Sequence, residues 1–579
     1  MKRPALFAAV LLIALAGASE AASTWYVKAD AAAGGNGSRS RPFATLEQVE
    51  AASQPGDTIR VLPSARPLDG GIQLKDGQRL TGLGSPVTKS AASGAQPTIT
   101  NTSAARYNGD AIRLARNSVV QNIHIDGAAR AGIFGVNAGR SELRGNLITN
   151  NMIQGNDLPR LERVWPDGFV LYQSQGNHFG GITLLACGPG TSSYCAKLAP
   201  AAAAAADAGE VIVANNVIRD SNLEGIMLLT DSGAVASFAI TDTLVRDLSL
   251  NLPRPESFNP PVGIVRSRAF TLIALNHSRV NLTMSRFHAE NLSPAGNYAT
   301  DGIVFLTGGD SPVVNARISD ATVLNPRMVG EVNNGDSIEI QHRGTTNGVL
   351  NIDMTRLDLH DPASANIKVL EAANPTNGVY NLSVSDSVLT NTNPAGTLDG
   401  QIRLSGASNG TKAFTLAVRN TKFSGFGGAI GILNANNVDT LNVLVENSSL
   451  SDFTAPAGAT PIAAVTVTHP ADKRIGTAVI DLGGGPLGSR GHNRFVKNAG
   501  LDLSVSNANA GTTPIQVDAA GNYWGGGPPV LASPALGASK PSEGGPGASK
   551  PGEGGRADIA INGNVRFDRP TNLTSDPAR

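Results

Sequence analysis

One pattern recurs along most of this chain, and a repeat constrains a fold more than any single motif. It is visible in VNLTMSRFHAEN (280–291), VNARISDATVLN (314–325), LNIDMTRLDLHD (350–361), YNLSVSDSVLTN (380–391), FTLAVRNTKFSG (414–425) and LNVLVENSSLSD (441–452). Apolar residues alternate through the first five positions, a polar pair follows, and a second short apolar stretch runs into a turn. Upstream copies begin at 116, 140, 210 and 236, with more degenerate ones at 171–182 and 487–498. Ten of the twelve seventh positions are Asn or Asp, from Asn122 to Asn493, with Arg286 and Arg356 the exceptions. Asn and Asp tolerate sharp bends and bond to nearby backbone, so the position reads as a corner between two strands. Stacked corners can also bond to one another as amide ladders do.

A second strand lies between the copies: DAIRL (110–114), DGFVL (167–171), EGIML (224–228), DGIVF (301–305), DSIEI (336–340), ANIKV (365–369), GQIRL (400–404) and GAIGI (428–432). Starts of the first strand advance by 24 to 46 residues, with 30, 34 and 36 typical. A unit this short cannot bury its own apolar face, so neighbours must stack to make a core. The expectation is an all-β parallel solenoid with strands about 4.8 Å apart. An antiparallel sandwich would show turn signals every ~8–12 residues and hairpin Asn-Gly pairs.

These repeats resemble the right-handed parallel β-helix superfamily that includes pectate lyases and polygalacturonases. The resemblance covers nearly all of the mature chain and implies a single right-handed β-helix of roughly 12 coils. It implies polysaccharide as the partner and a lyase or glycoside hydrolase as the activity; the same fold also serves non-catalytic scaffolds and adhesins. The opening WYVKADAAAGGNGSRSRPFATLEQVEAASQPGDTIRVLPS resembles the start of many secreted β-helix proteins. Thr45 and Gln48 have capping-box spacing for a short helix through Ala52, which would cover the first open edge of the stack. At the other end, GNYWG and the later GNV resemble a final coil. The Gly/Pro/Ser-rich stretch 531–556 between them reads as a disordered loop inserted into that coil. Further insertions are expected at 199–206 and 251–261.

MKRPALFAAVLLIALAGASEAAS at the start has the basic, apolar and small-residue order of a secretory signal peptide over 1–22. The β-helix domain then runs over 23–579, with the cap and first strand in 23–62. Export is expected, to the periplasm or beyond, with no membrane anchor and a monomeric chain. Charged residues are 16% of the chain and the net charge is zero, which argues against nucleic acid as a partner. Cys187 and Cys195 are the only cysteines, and in an exported protein they are expected to form one disulfide. A zinc set would need further ligands nearby.

The stretch GDSIEIQHRG (335–344) concentrates the candidate chemistry. With Ile338 and Ile340 inward, Glu339 points outward, in line with Lys368 and Arg403 on the next two coils. That column reads as a cross-strand ion pair or as a sugar-binding strip, in which Lys368 or Arg403 pairs with a uronate. TDGI (300–303) and GDSI (335–338) resemble polygalacturonase motifs, which makes Asp301 and Asp336 candidates for acid and base. Ala299 and Ser337 depart from those motifs, and Asp110, Asp167 and Glu224 in the same column favour a recurring turn residue. His342 and Arg343, placed at a turn past the strand, are candidates for proton transfer and carboxylate clamping. The candidate set is therefore Asp301, Asp336 and His342 for catalysis, with Glu339, Arg343, Lys368 and Arg403 for substrate binding. HDPA (360–363) lacks the His of the epimerase motif that it resembles. No cofactor or metal is assigned; calcium stays open, without a motif that calls for it.

Overall fold

The computed structural model describes residues between 22 and 573 with breaks, the longer ones at 88–95, 152–178, 190–206, 249–265, 293–298, 327–334, 372–376, 394–399 and 532–557. The expected signal peptide, apart from Ala22, and the insertions at 199–206 and 251–261 lie outside the described residues. So does all but the first residue of the 531–556 loop.

Three parallel sheets form the molecule, of sixteen, eleven and fourteen strands among the described residues. One turn of the chain visits each sheet once. Ala299–Asp310 lies in the fourteen-stranded sheet, Val313–Ser319 in the sixteen-stranded sheet and Thr322–Leu324 in the eleven-stranded sheet. They are called the third, first and second sheets below. The chain then climbs one level and repeats. This is a parallel β-helix, and the alternation in the sequence explains its register. Val313–Ser319 pairs residue for residue with Arg279–Ser285 below and Val349–Thr355 above. That register stacks the inward residues of successive coils: Val280, Leu282 and Met284, then Val314, Ala316 and Ile318, then Leu350, Ile352 and Met354. None of these is more than 3% exposed. A slip of one residue would turn each of these sets outward.

The corner between the first and second sheets is where the seventh position acts. Asn122, Asp242, Arg286, Asp320, Arg356, Asp386, Asn420 and Asn447 all hold positive φ, between 49° and 55°. This left-handed conformation disfavours side chains other than Asn and Asp. It keeps the backbone N–H aimed at the next coil: Asp320 N donates to Thr355 O at 3.1 Å, and Arg356 N to Ser385 O at 3.0 Å. The two arginines are held by their neighbours. Arg286 Nε and Nη2 donate to Asp242, and Arg356 Nε and Nη2 to Asp320. Above them, Asn420 Nδ2 donates to Asp386 and Asn447 Nδ2 to Asn420. The corner is thus a ladder of alternating charge that passes into amides.

At three copies the left-handed residue comes one position earlier, at Gly145, Asn215 and His492. The seventh-position Asn146, Asn216 and Asn493 then turn inward and are fully buried. Asn216 Oδ1 accepts from both Asn146 N and Asn146 Nδ2, each at 3.0 Å. Asn493 Oδ1 accepts from Ser448 N, and Asn493 N donates to Asn522 Oδ1. Of the stretch 171–182, residues 171–178 lie outside the described residues. Glu142–Arg144 pairs directly with Ile212–Ala214, and Gly180–Cys187 belongs to the third sheet.

The first coil is closed by the helix Leu46–Ala52. Thr45 Oγ1 accepts from Gln48 N, Gln48 Oε1 accepts from Thr45 N, and Leu46 and Val49 are buried. Beyond the 531–556 stretch, Ile559–Gly563 and Val565–Asp568 rejoin the third and first sheets as their last strands. No described helix is long and apolar enough to cross a membrane.

Two outcomes follow from the corners. Asn216→Ala strips the acceptor from the buried Asn146 N–H and should cost about 1–3 kcal/mol, read as a lower melting temperature. Arg356→Asn should melt at or above the parent temperature, because Asn suits positive φ and can still reach Asp320. Arg356→Ala should melt below both, because it keeps the strain and loses the partner.

Candidate active site on the third sheet

The residues singled out in GDSIEIQHRG lie on the third sheet, where the strands run longest. Ile338–Thr346 pairs with Ala299–Asp310 on one side and Ile367–Glu371 on the other. Glu339 aligns with Lys368, and Lys368 with Arg403, as the sequence column implied. Three residues earlier, a second column runs Glu224, Arg268, Asp301. The Ile303–Ile338 pairing continues it to Asp336.

These two columns form one buried network. Asp301, Asp336, Glu339, Lys368, Arg268 and Glu224 are between 0% and 6% exposed. One carboxylate oxygen from each of Asp301, Asp336 and Glu339 lies within 4.8 Å of the others. Lys368 Nζ donates to Asp336 Oδ2 at 3.1 Å. Arg268 Nη1 reaches Glu224 Oε1 at 3.3 Å, and its Nε lies 3.5 Å from Asp301 Oδ2. Thr271 Oγ1 donates to Glu224 Oε2 at 2.6 Å. The apolar residues beside them, Met227, Leu229, Ile273 and Val304, are also buried, although the alternation turns them away from the core. The sheet face is therefore covered. An exposed cross-strand pair is the wrong description of the Glu339–Lys368 column; the low local dielectric makes each charge matter more.

The acids have a structural duty, as their recurrence suggested. Asp301 Oδ1 accepts from Asp336 N at 3.1 Å, and Asp336 Oδ1 from Ala365 N at 2.9 Å. Asp110 Oδ1 accepts from Ala131 N at 3.3 Å in the same manner. Each carboxylate thus spends one oxygen on the coil above. The second oxygens of Asp301 and Asp336 face the network.

Electrostatics singles out Asp336. Burial pushes Asp336 above the ordinary aspartate value; Lys368 opposes this, and Asp301 adds to it. Burial alone would lower Arg268, but Glu224, Asp301 and Glu339 outweigh it and hold the guanidinium firmly charged. Asp336 is the member best placed to keep a proton. The three oxygens are close enough to share a divalent cation, which would compete with Lys368 for Asp336 and with Arg268 for Asp301.

His342 is elsewhere. The strand continues to Thr346, so His342 is no turn residue, and the alternation turns it inward from Ile340. It is fully buried, with Nδ1 2.5 Å from Thr307 Oγ1 and Nε2 3.3 Å from Val379 O. Its ring centroid lies 4.4 Å from that of Tyr380. Burial lowers its pKa to about 4. The geometry does not bring it to the carboxylates. Arg343 lies in the same strand, and its side chain is outside the described residues; Arg403 is half-buried on the coil beyond Lys368. Cys187 ends the strand Gly180–Cys187 and is disulfide-bonded; Cys195 lies outside the described residues.

Arg268 is the member that the sequence reading missed. Its strand, Arg266–Leu275, was not recognised as a rung. The signal was arithmetic: first-sheet copies at 236 and 280 are 44 residues apart, room for a third-sheet strand between them.

No protein-family model and no curated protein matches the chain. Among solved structures, it is similar to the crystal structure of pectate lyase Pel9A, at 12% identity over 75% of this chain and 76% of that one, with a TM-score of 0.24. It is also similar to the A-module of the mannuronan C-5 epimerase AlgE4 of Azotobacter vinelandii, at 12% identity over 94% and 100%, with a TM-score of 0.25. The chain is a parallel β-helix protein by its own strand pairing.

His342 gives a pH prediction. Its folded pKa lies below the unfolded value of about 6.5, so the folded state resists protonation. Stability should fall as pH drops from about 6.5 toward 4 and then level off. His342→Gln should flatten that part of a melting-temperature profile.

Proposed function

We propose that this is an exported, polysaccharide-acting β-helix protein whose reaction centre is the third-sheet cluster. The observation that carries the reading is a raised Asp336 carboxyl beside two further carboxylates within 4.8 Å. Carboxyls whose environments push their pKa values apart divide into acid and base. Asp336 holds the proton and delivers it to the glycosidic oxygen. Asp301, whose Oδ2 lies 3.5 Å from Arg268 Nε, or Glu339 faces the anomeric carbon. So short a separation belongs with the retaining arrangement, where the paired carboxyls lie roughly 5–5.5 Å apart. Arg403 and Lys368 are the cations on this strip, and a uronate would compete with Asp336 for Lys368. The disulfide at Cys187 supports an oxidising compartment, and so export.

A second reading is a non-catalytic scaffold on the same fold. It is favoured by one fact: every member of the cluster is at most 6% exposed. There the network serves only to tie five coils together.

The test is turnover by the mature chain on acidic and neutral polysaccharides, with and without calcium. Reducing ends without unsaturated ultraviolet-absorbing products are expected, and Asp336→Asn should lower the rate by about 10²–10⁴-fold, the range for a general acid. Unsaturated products would instead make the enzyme a lyase, with Lys368 the first residue to replace. No turnover on any substrate, or full activity in Asp336→Asn, would overturn the catalytic reading and leave the scaffold.

A further inference from the structure

The outward face of the first sheet carries a feature unconnected with the buried cluster. Asn281, Asn315, Asn351 and Asn381 occupy the same position on four consecutive coils. Their amides form a ladder: Asn315 Nδ2 donates to Asn281 Oδ1 at 3.1 Å, Asn351 to Asn315 at 2.8 Å and Asn381 to Asn351 at 2.8 Å. The ladder lines an open groove of about 620 Å³ together with Thr283, Arg317, Asp353, Ser383 and Thr415. Asn281, Asn315 and Asn381 are exposed and Asn351 is half-buried.

An amide has two N–H groups and two acceptor lone pairs. Each interior rung uses one of each within the ladder, which also fixes the plane of the amide. One donor and one acceptor per coil remain for a ligand, repeated about every 4.8 Å along the axis. The strip has little net charge, since Arg317 faces Asp353 in register. A row of half-buried valines, Val313, Val349 and Val379, borders the amides on one side. Alternating donors and acceptors beside an apolar border match a sugar ring, which presents hydroxyls at its edge and C–H groups on its face. An extended β-linked hexose chain advances by a closely similar distance per residue.

We propose that this strip is a second polysaccharide site, separate from the third-sheet cluster, which binds a hydroxyl-rich chain laid along the long axis with one sugar per coil. The inference rests on the polysaccharide reading but not on catalysis. Recognition through uncharged amides makes binding nearly independent of salt.

The test is affinity electrophoresis of the mature chain in gels cast with hydroxyethyl cellulose, at low and high salt. The chain should be retarded in both. Asn315→Val/Asn351→Val removes two rungs while keeping residues that suit a strand, and should weaken retardation by roughly tenfold, the worth of one to two net hydrogen bonds. Asn315→Ala/Asn351→Ala should do the same if the valine pair melts early. Asp336→Asn should be retarded like the parent, and a parent that is retarded but turns over no substrate would sink the catalytic reading alone. An unretarded parent, equal retardation of the double variants, or retardation abolished by salt would overturn the strip. So would a dimer of the parent that the double variant dissolves, which would assign the face to a second copy.

Discussion

Everything in this molecule depends on the left-handed corner between the first and second sheets. A parallel stack needs each coil to deliver its strands at the same height as the coil below. The corner does this by turning the chain within one residue while its N–H still reaches the next coil. Only a few residue types accept that conformation cheaply. Where the chain uses arginine instead, at 286 and 356, the coil below supplies an aspartate at the same corner. The strain of one coil is thus offset by its neighbour, so the corner is a property of the stack and not of a single repeat.

Much of this was legible in the sequence. The alternation at 280–284 and its copies named the inward residues, and the seventh position named the corner. Thr45 and Gln48 named the cap. The stack went further than the copies recognised in the sequence, because strands such as Arg266–Leu275 and Ile133–Val136 have little polar alternation to mark them. They are buried on both faces, and a continuous apolar run carries no period.

The candidate site was half legible. Register alone joined Glu339, Lys368 and Arg403, and brought Asp301 to Asp336. Burial was not legible, since it depends on what covers the outward face of the third sheet. It changes the chemistry most: the same residues on an open surface would be a weak ion pair, whereas here Asp336 is driven toward its protonated form. His342 shows the same gap in reverse. The strand runs on to Thr346 and not to a turn at His342, and the structure puts His342 against Tyr380 in the core.

The account turns on whether Asp336 holds its proton above the ordinary aspartate range. Infrared spectroscopy of the carboxyl stretch, followed through a pH titration of the parent and of Asp336→Asn, reads this directly. The account predicts a protonated-carboxyl band that persists well above the ordinary aspartate range of about 4 and is missing from Asp336→Asn. A band that titrates in the ordinary range, or one that survives the substitution unchanged, would contradict it.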